Sequence, residues 1–302
     1  MKNISLWKLF VFLLLVGGII SLPSAAMCDE SLALYGMKGY AYTYSPLPSD
    51  GLNIQTGGMY SRFGEDKLNC REGYVWAVPF SLTYGDGDWF EFAAASHWEY
   101  WENTDDYWDN KNVDTDNNGI GDVFLSAKIR VLGQDRVRNS PVDVSLMPYI
   151  LIPTDNRDKS IGDLYLYNPT NEDDYAYGLN LLIGKRWKQL YLAANIGFNY
   201  LDSDIDYIEN STYFFGLTFE YQLSESLTSY LEFINNQNKN KENYPAGSYC
   251  YDENTDEDIR ELGLGFVWLK DKWGMKLHVG TGLSHTSPGI RAIALINRTF
   301  SF

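Results

Sequence analysis

Charged side chains stand at alternate positions in several segments of this chain. They are Glu91, His97 and Glu99; Lys128 and Arg130; Asp143; Arg186; Glu220; Glu232; Glu261; and Lys276. Within each segment they share a parity with Gly, Asn, Ser and Thr, and they oppose Leu, Val, Ile, Phe, Tyr and Trp. Such charges converge only if the segments are strands whose polar faces look inward on one another, because successive side chains of a strand point to opposite faces. An enclosed charge is tolerated when it is wet or paired. Two readings are therefore open: the charges line a solute path and set its selectivity, or they pair across the interior and fill it.

Three other groupings carry candidate chemistry. Asp114, Asp116, Asn118 and Asp122, with Gly119 at the sixth place, resemble the oxygen-rich opening of a calcium loop, although Leu125 stands where the bidentate acid belongs. Asp, Asn and Gly are also ordinary residues of exposed turns. Cys70 and Cys250 fall in connections on the same side of the molecule, where a secreted protein can bridge two loops by a disulfide. His285-Thr286-Ser287 has the residue types of a hydroxyl nucleophile and its base, but no third group to orient the histidine is evident.

The elements that must position these residues follow from period-2 alternation repeated to the C-terminus. The clearest runs are Tyr74–Tyr84, Val123–Val131, Leu190–Tyr200, Thr212–Leu223 and Met275–Leu283. Their apolar faces carry Tyr, Trp and Phe toward the strand ends, as in the interfacial girdles of lipid-facing barrels. Short turns at Lys188-Gln189, Ser224-Glu225 and Lys270–Lys272 interleave with long acidic stretches at Asn103–Asn118, Thr154–Tyr175 and Asn236–Asp258. That asymmetry fits short inner turns and long outer loops, whereas a soluble sandwich has no reason for it. The spacing predicts an all-β fold: a transmembrane, antiparallel up-and-down β-barrel of about twelve strands. They lie near 52–63, 73–84, 89–101, 119–132, 141–153, 176–187, 190–201, 212–223, 226–235, 259–270, 273–285 and 290–302. In the last, Phe300 and Phe302 share a face with Arg298 while Ile293 and Leu295 lie opposite, which predicts a bulge that switches faces.

The N-terminus reads as a cleaved signal peptide, residues 1–26, with Lys2 and Lys8 ahead of the apolar run Leu9–Ile20 and small residues before Met27. The run is shorter than a spanning helix needs, which is ~20 residues. Cys28 raises lipidation, but Ala25-Ala26-Met27 is not the sequence a lipidated cysteine follows. Residues 27–51 are left as a periplasmic stub or a segment entering the lumen, and residues 52–302 form the barrel. The net charge of −16 excludes nucleic acid as a partner, since phosphate binding needs cations. It is compatible with lipopolysaccharide bridged by divalent cations in a bacterial outer membrane, and the C-terminal Phe302 suits recognition by the barrel-assembly machinery. No cofactor is expected beyond weak calcium.

The layout resembles the outer-membrane barrels grouped as "MetA-pathway of phenol degradation" or putative-transporter proteins. The similarity lies in Leu47-Pro48 ahead of the first strand, Glu91 after the Gly85–Asp88 turn, Gly119-Ile120-Gly121-Asp122 before Lys128, and Ile152-Pro153-Thr154. The ending, Gly280-Thr281-Gly282-Leu283-Ser284 with Pro288 and a last strand to Phe302, is similar too. Asp155 stands where that family usually has Gly. The resemblance implies uptake of aromatic or other hydrophobic compounds. The resulting expectation is a channel for passive passage of small solutes and not an enzyme. The alternatives are a non-conducting structural or adhesive barrel and an outer-membrane phospholipase using Ser287.

Overall fold

The computed structural model describes residues 31–63, 71–107, 111–134, 140–153, 175–202, 209–237, 258–284 and 286–300. Thirteen strands follow in chain order: β1 (Asp50–Phe63), β2 (Arg71–Asp86), β3 (Phe90–Tyr107), β4 (Lys111–Ile120), β5 (Val123–Leu132), β6 (Asp143–Ile152) and β7 (Ala176–Trp187), then β8 (Leu190–Leu201), β9 (Ser211–Gln222), β10 (Leu227–Asn236), β11 (Ile259–Lys270), β12 (Trp273–Gly282) and β13 (Ile290–Phe300). Apart from β4 and β5, which do not pair with each other, each strand pairs antiparallel with its chain neighbours around the sheet, and β1 closes the ring on β13. The barrel is closed by twelve staves, because β4 and β5 both pair with β3 and together form one, interrupted at Gly121-Asp122.

Alternation explains the wall. In β12 every second residue is exposed, Met275, Leu277 and Val279 among them, while Lys276 and His278 are buried. The outward faces are apolar in the middle and aromatic at both margins. Tyr84, Trp89, Trp187 and Trp273 ring the short-turn end, and Trp76, Trp98, Tyr177 and Tyr213 ring the other, all of them exposed. Such belts sit at the two water–lipid boundaries. Arg298 points outward at the short-turn end, with its guanidinium 5.1 Å from the ring centre of Trp273 and 4.9 Å from that of Phe300. It keeps its charge at the margin while its stem covers apolar surface. Replacing Leu277 by Arg should therefore lower barrel stability by about 2–4 kcal/mol in lipid, the cost of a cation at the midplane. Urea unfolding in bilayers measures it, and an unchanged midpoint would mean this face does not meet lipid.

Three sequence expectations change. The acidic stretch after Trp101 is not a loop throughout: β3 continues to Tyr107 and β4 returns beside it from Lys111, so a hairpin extends the sheet past β5. Extending the ladder satisfies backbone groups that a loop would leave to water. The stave expected over 119–132 accordingly starts as strand β5 at Val123. The bulge expected in the last strand is absent, since β1 and β13 stay in register from Leu52↔Phe300 to Arg62↔Ile290. Ile293 and Leu295 face inward because they have apolar company there. They join a core with Ala33, Leu34, Met37 and Tyr42. That core is the fourth finding: residues 31–49 lie inside the barrel, buried almost throughout, while residues 27–30 lie outside the described residues.

Candidate functional site: the filled lumen

The segment 31–49 is a compact knot. Leu34 N donates to Ala41 O (3.0 Å), Tyr40 N to Thr43 O (2.8 Å) and Ser45 N to Lys38 O (2.9 Å). Gly36 sits at φ +85°, where a side chain would be strained and would also press on Ser81 Cβ at 2.6 Å. A Cβ at Gly39 would meet Thr43 O at 2.5 Å and Tyr44 Cα at 2.8 Å, so the knot closes only around that glycine. Both ends of the segment lie toward the short-turn side: Ser49 O accepts from Gly87 N in the β2–β3 turn, and Leu32 O from Lys276, three residues into β12. Its tip at Tyr42 reaches Arg291 near the long-loop end, 5.5 Å from guanidinium to ring centre.

The wall makes room by losing side chains. A Cβ at Gly85 would lie 2.1 Å from Ser49 O, one at Gly184 2.7 Å from Pro46 Cγ, and one at Gly216 2.8 Å from Thr43 Oγ1. These three glycines are thus the negative of the occupant, whereas others, such as Gly178, Gly197 and Gly265, make room for Tyr149, Asn180 and Tyr230 of the wall.

Every charge that the alternation placed inward is inside. Lys128 Nζ donates to Glu91 Oε2 at 2.6 Å, with both side chains fully enclosed. Arg130 Nη2 meets Asp143 Oδ1 at 2.5 Å, and His97 Nε2 meets Glu99 Oε2 at 3.1 Å. Arg186 Nη2 lies 3.6 Å from Glu220 Oε1 and is half-buried. Glu261 takes both arms of Arg291, at 2.8 and 3.2 Å. Of the two readings left open, pairing and filling describe this lumen, but much of the pairing is with the knot. Glu91 also accepts Lys38 N (2.6 Å) and Ser49 N (3.2 Å). Glu232 Oε1 accepts Tyr42 N (3.0 Å) and Thr43 N (2.6 Å). Lys276 Nζ donates to the carbonyls of Leu32 (2.5 Å), Gly39 (2.8 Å) and Tyr40 (2.5 Å). Glu220 Oε2 accepts the Tyr40 hydroxyl at 2.7 Å.

Sequence reasoning missed Arg291, did not single out His278 among the inward charges, and left open whether the segment ahead of the first strand enters the lumen. Arg291 has the parity of Ile293 and Leu295, so it would have been found had that face been followed without a bulge. His278 lies on the polar face of β12, with Nδ1 3.9 Å from Glu232 Oε2. For the knot the only local signal was an aperiodic run of Tyr, Gly and Ser.

The other candidates fare differently. Asp114 and Asp116 lie on extended β4, opposite Thr104 and Glu102 of β3, and Asn118 opposite Tyr100. A calcium loop wraps its ligands round one point, whereas a strand spreads residues by about 3.3 Å each. Positions 114, 116, 118 and 122 therefore do not converge along this backbone, and among the described residues no three acids, histidines or cysteines gather as a metal site. Ser287 is buried, and its hydroxyl donates to Arg260 O and accepts from Arg260 N, both at 2.8 Å. His285, the three cysteines and Phe302 lie outside the described residues.

A closed barrel with an apolar, aromatic-belted exterior and a charged interior filled by its own chain defines a membrane β-barrel with an internal plug. The chain belongs to the family described as membrane bound beta barrel domain (DUF5777), whose model matches residues 74–263. No curated protein matches the sequence. Among solved structures, 87% of the chain aligns with 99% of the COG4313 outer membrane channel from Pseudomonas putida F1, at a TM-score of 0.59 and 14% identity, and this shows a shared fold. The NanC porin aligns over 83% of this chain and 100% of its own at a TM-score of 0.47 and 10% identity.

Proposed function

We propose that the protein is a bacterial outer-membrane channel for passive passage of small solutes, closed at rest by residues 31–49. The observation that carries this reading is that a separable stretch of chain, residues 31–49, occupies the lumen and is held there by polar groups of the wall. Withdrawing that stretch opens a passage lined by Glu91, Glu99, Asp143, Glu220, Glu232 and Glu261 against Lys128, Arg130, Arg186, Lys276 and Arg291. The acids outnumber the bases, so the open passage prefers cations. Aromatic or hydrophobic solutes rest on the resemblance to the phenol-degradation type alone, and the polar wall favours polar cargo. The reading assigns no catalytic role to Ser287 and no cofactor. Lipid, lipopolysaccharide and the barrel-assembly machinery are the partners such a protein would meet.

Single-channel recording of the full mature chain in a planar bilayer, with reversal potential under a salt gradient, tests it. The expected result is a mostly silent wild type. Gly39→Val, which breaks the knot without touching the wall, should give steady, cation-preferring steps. A correctly folded barrel silent in both forms would point instead to a structural or adhesive role.

A further inference from the structure

We infer that the lumen wall is a receptor for polypeptide main chain, that peptides are the solutes it admits, and that residues 31–49 are its tethered occupant. Passage rests on the channel reading above, whereas occupancy by peptide stands apart from it. The argument lies in which atoms of the knot the wall holds. Asn195 accepts Tyr44 N at 2.6 Å and returns Nδ2 to Tyr44 O at 2.8 Å, the two-bond pairing that a neighbouring strand would offer. Glu232 and Glu91 each accept two backbone N–H groups. Lys276 gathers three carbonyls, and Lys128 two, those of Lys38 and Leu47 at 3.3 Å. Ser145 Oγ donates to Pro46 O (2.5 Å), Gln55 Nε2 to Ala33 O (2.8 Å) and Thr83 Oγ1 to Gly36 O (2.5 Å).

These eight wall residues come from eight different strands, and every bond just given ends on a main-chain atom of the knot. Main-chain recognition is indifferent to side-chain identity, as in β-strand addition. A peptide presents N–H and C=O groups in alternation and matches these carboxylates, ammoniums and amides. An aromatic solute presents neither set, and the side-chain contacts of the occupant, such as Tyr40 with Glu220 and Tyr42 with Arg291, are fewer than these main-chain bonds. When the knot withdraws, each of these groups loses a partner, and a second stretch of main chain is the ligand chemistry that replaces them all.

The test uses the full chain refolded in detergent and two fluorophore-labelled peptides: one with the sequence of residues 31–49 and one with its residues scrambled. Binding is read by fluorescence anisotropy. The knot competes for the site, so wild type should bind both weakly. Gly39→Val should bind both at least tenfold more tightly, and within about threefold of each other. Adding Asn195→Leu to Gly39→Val should weaken both by about tenfold, the loss of two neutral hydrogen bonds. Gly36→Val, which loosens the knot from a different position, should reproduce the gain if Gly39→Val does not fold. Phenol at millimolar excess should displace neither peptide. Binding of the native but not the scrambled peptide would overturn the proposal, because the wall would then read side chains. So would a loosened variant that conducts yet binds neither peptide. Peptide binding without current in any variant would leave the receptor standing and remove the channel.

Discussion

Lys128→Met is expected to be the most destabilising single change in the barrel interior, lowering the unfolding free energy by about 3–5 kcal/mol, the range for breaking a buried ion pair from one side. Lys128 and Glu91 are both fully enclosed, 2.6 Å apart, and the Glu91 carboxylate also accepts Lys38 N and Ser49 N of the knot. Methionine fills the volume and takes the ammonium bonded to the carboxylate away from it. The same change releases the carbonyls of Lys38 and Leu47, so the knot loosens with the wall. Urea unfolding in lipid bilayers, followed by tryptophan fluorescence, reads the loss. The double variant Lys128→Met/Glu91→Gln separates the causes: with the charge gone it should recover most of the loss, and the difference is the coupling between the two sites. A double variant as unstable as Lys128→Met would show that packing, rather than the stranded charge, sets the cost.

The second large effect is on gating. Glu232→Ala removes one oxygen that accepts both Tyr42 N and Thr43 N at the tip of the knot. Hydrogen bonds to a charged group contribute about 1.5–3 kcal/mol each, so their joint loss of about 3 kcal/mol or more shifts the seated-to-released balance by roughly a hundredfold. In planar bilayers the open probability should rise by about that factor, with the unitary step changed little. Glu232→Gln keeps an acceptor oxygen and should fall between wild type and Glu232→Ala. A folded Glu232→Ala barrel with wild-type silence would mean that the tip does not hold the passage shut.

The Leu277→Arg expectation above concerns lipid, and these two concern the lumen. Both faces of one strand are thereby tested, Leu277 outward and its neighbour Lys276 inward.

The strands and their faces were legible because alternation is a local property. In β9, Tyr213, Phe215 and Phe219 against Thr218 and Glu220 announces a wall with lipid on one side and polar groups on the other, whatever it pairs with. Short turns at Lys188-Gln189 and Asp271-Lys272 fixed which ends lie together, and the count of staves followed. The inward charges were therefore found by parity alone. Where a segment's pattern is set by something distant, the same reasoning slipped. Ile293 and Leu295 look like a lipid face until the knot supplies apolar contact inside, and the Asp/Asn-rich stretch of β4 looks like a loop until β3 runs alongside it.

By itself, then, the sequence determined a membrane barrel with a charged interior, since both properties are written in residues one or two apart. Whether that interior is an open path or a filled one was decided only in three dimensions. Lys276 and Leu32 are 244 positions apart, and Tyr42 and Glu232 are 190 apart. The bonds between them go to backbone atoms that every residue carries, so no side-chain pattern marks them. Closing the ring brings the wall's donors and acceptors within reach of the segment that precedes the first strand, and that closure is a property of the whole chain.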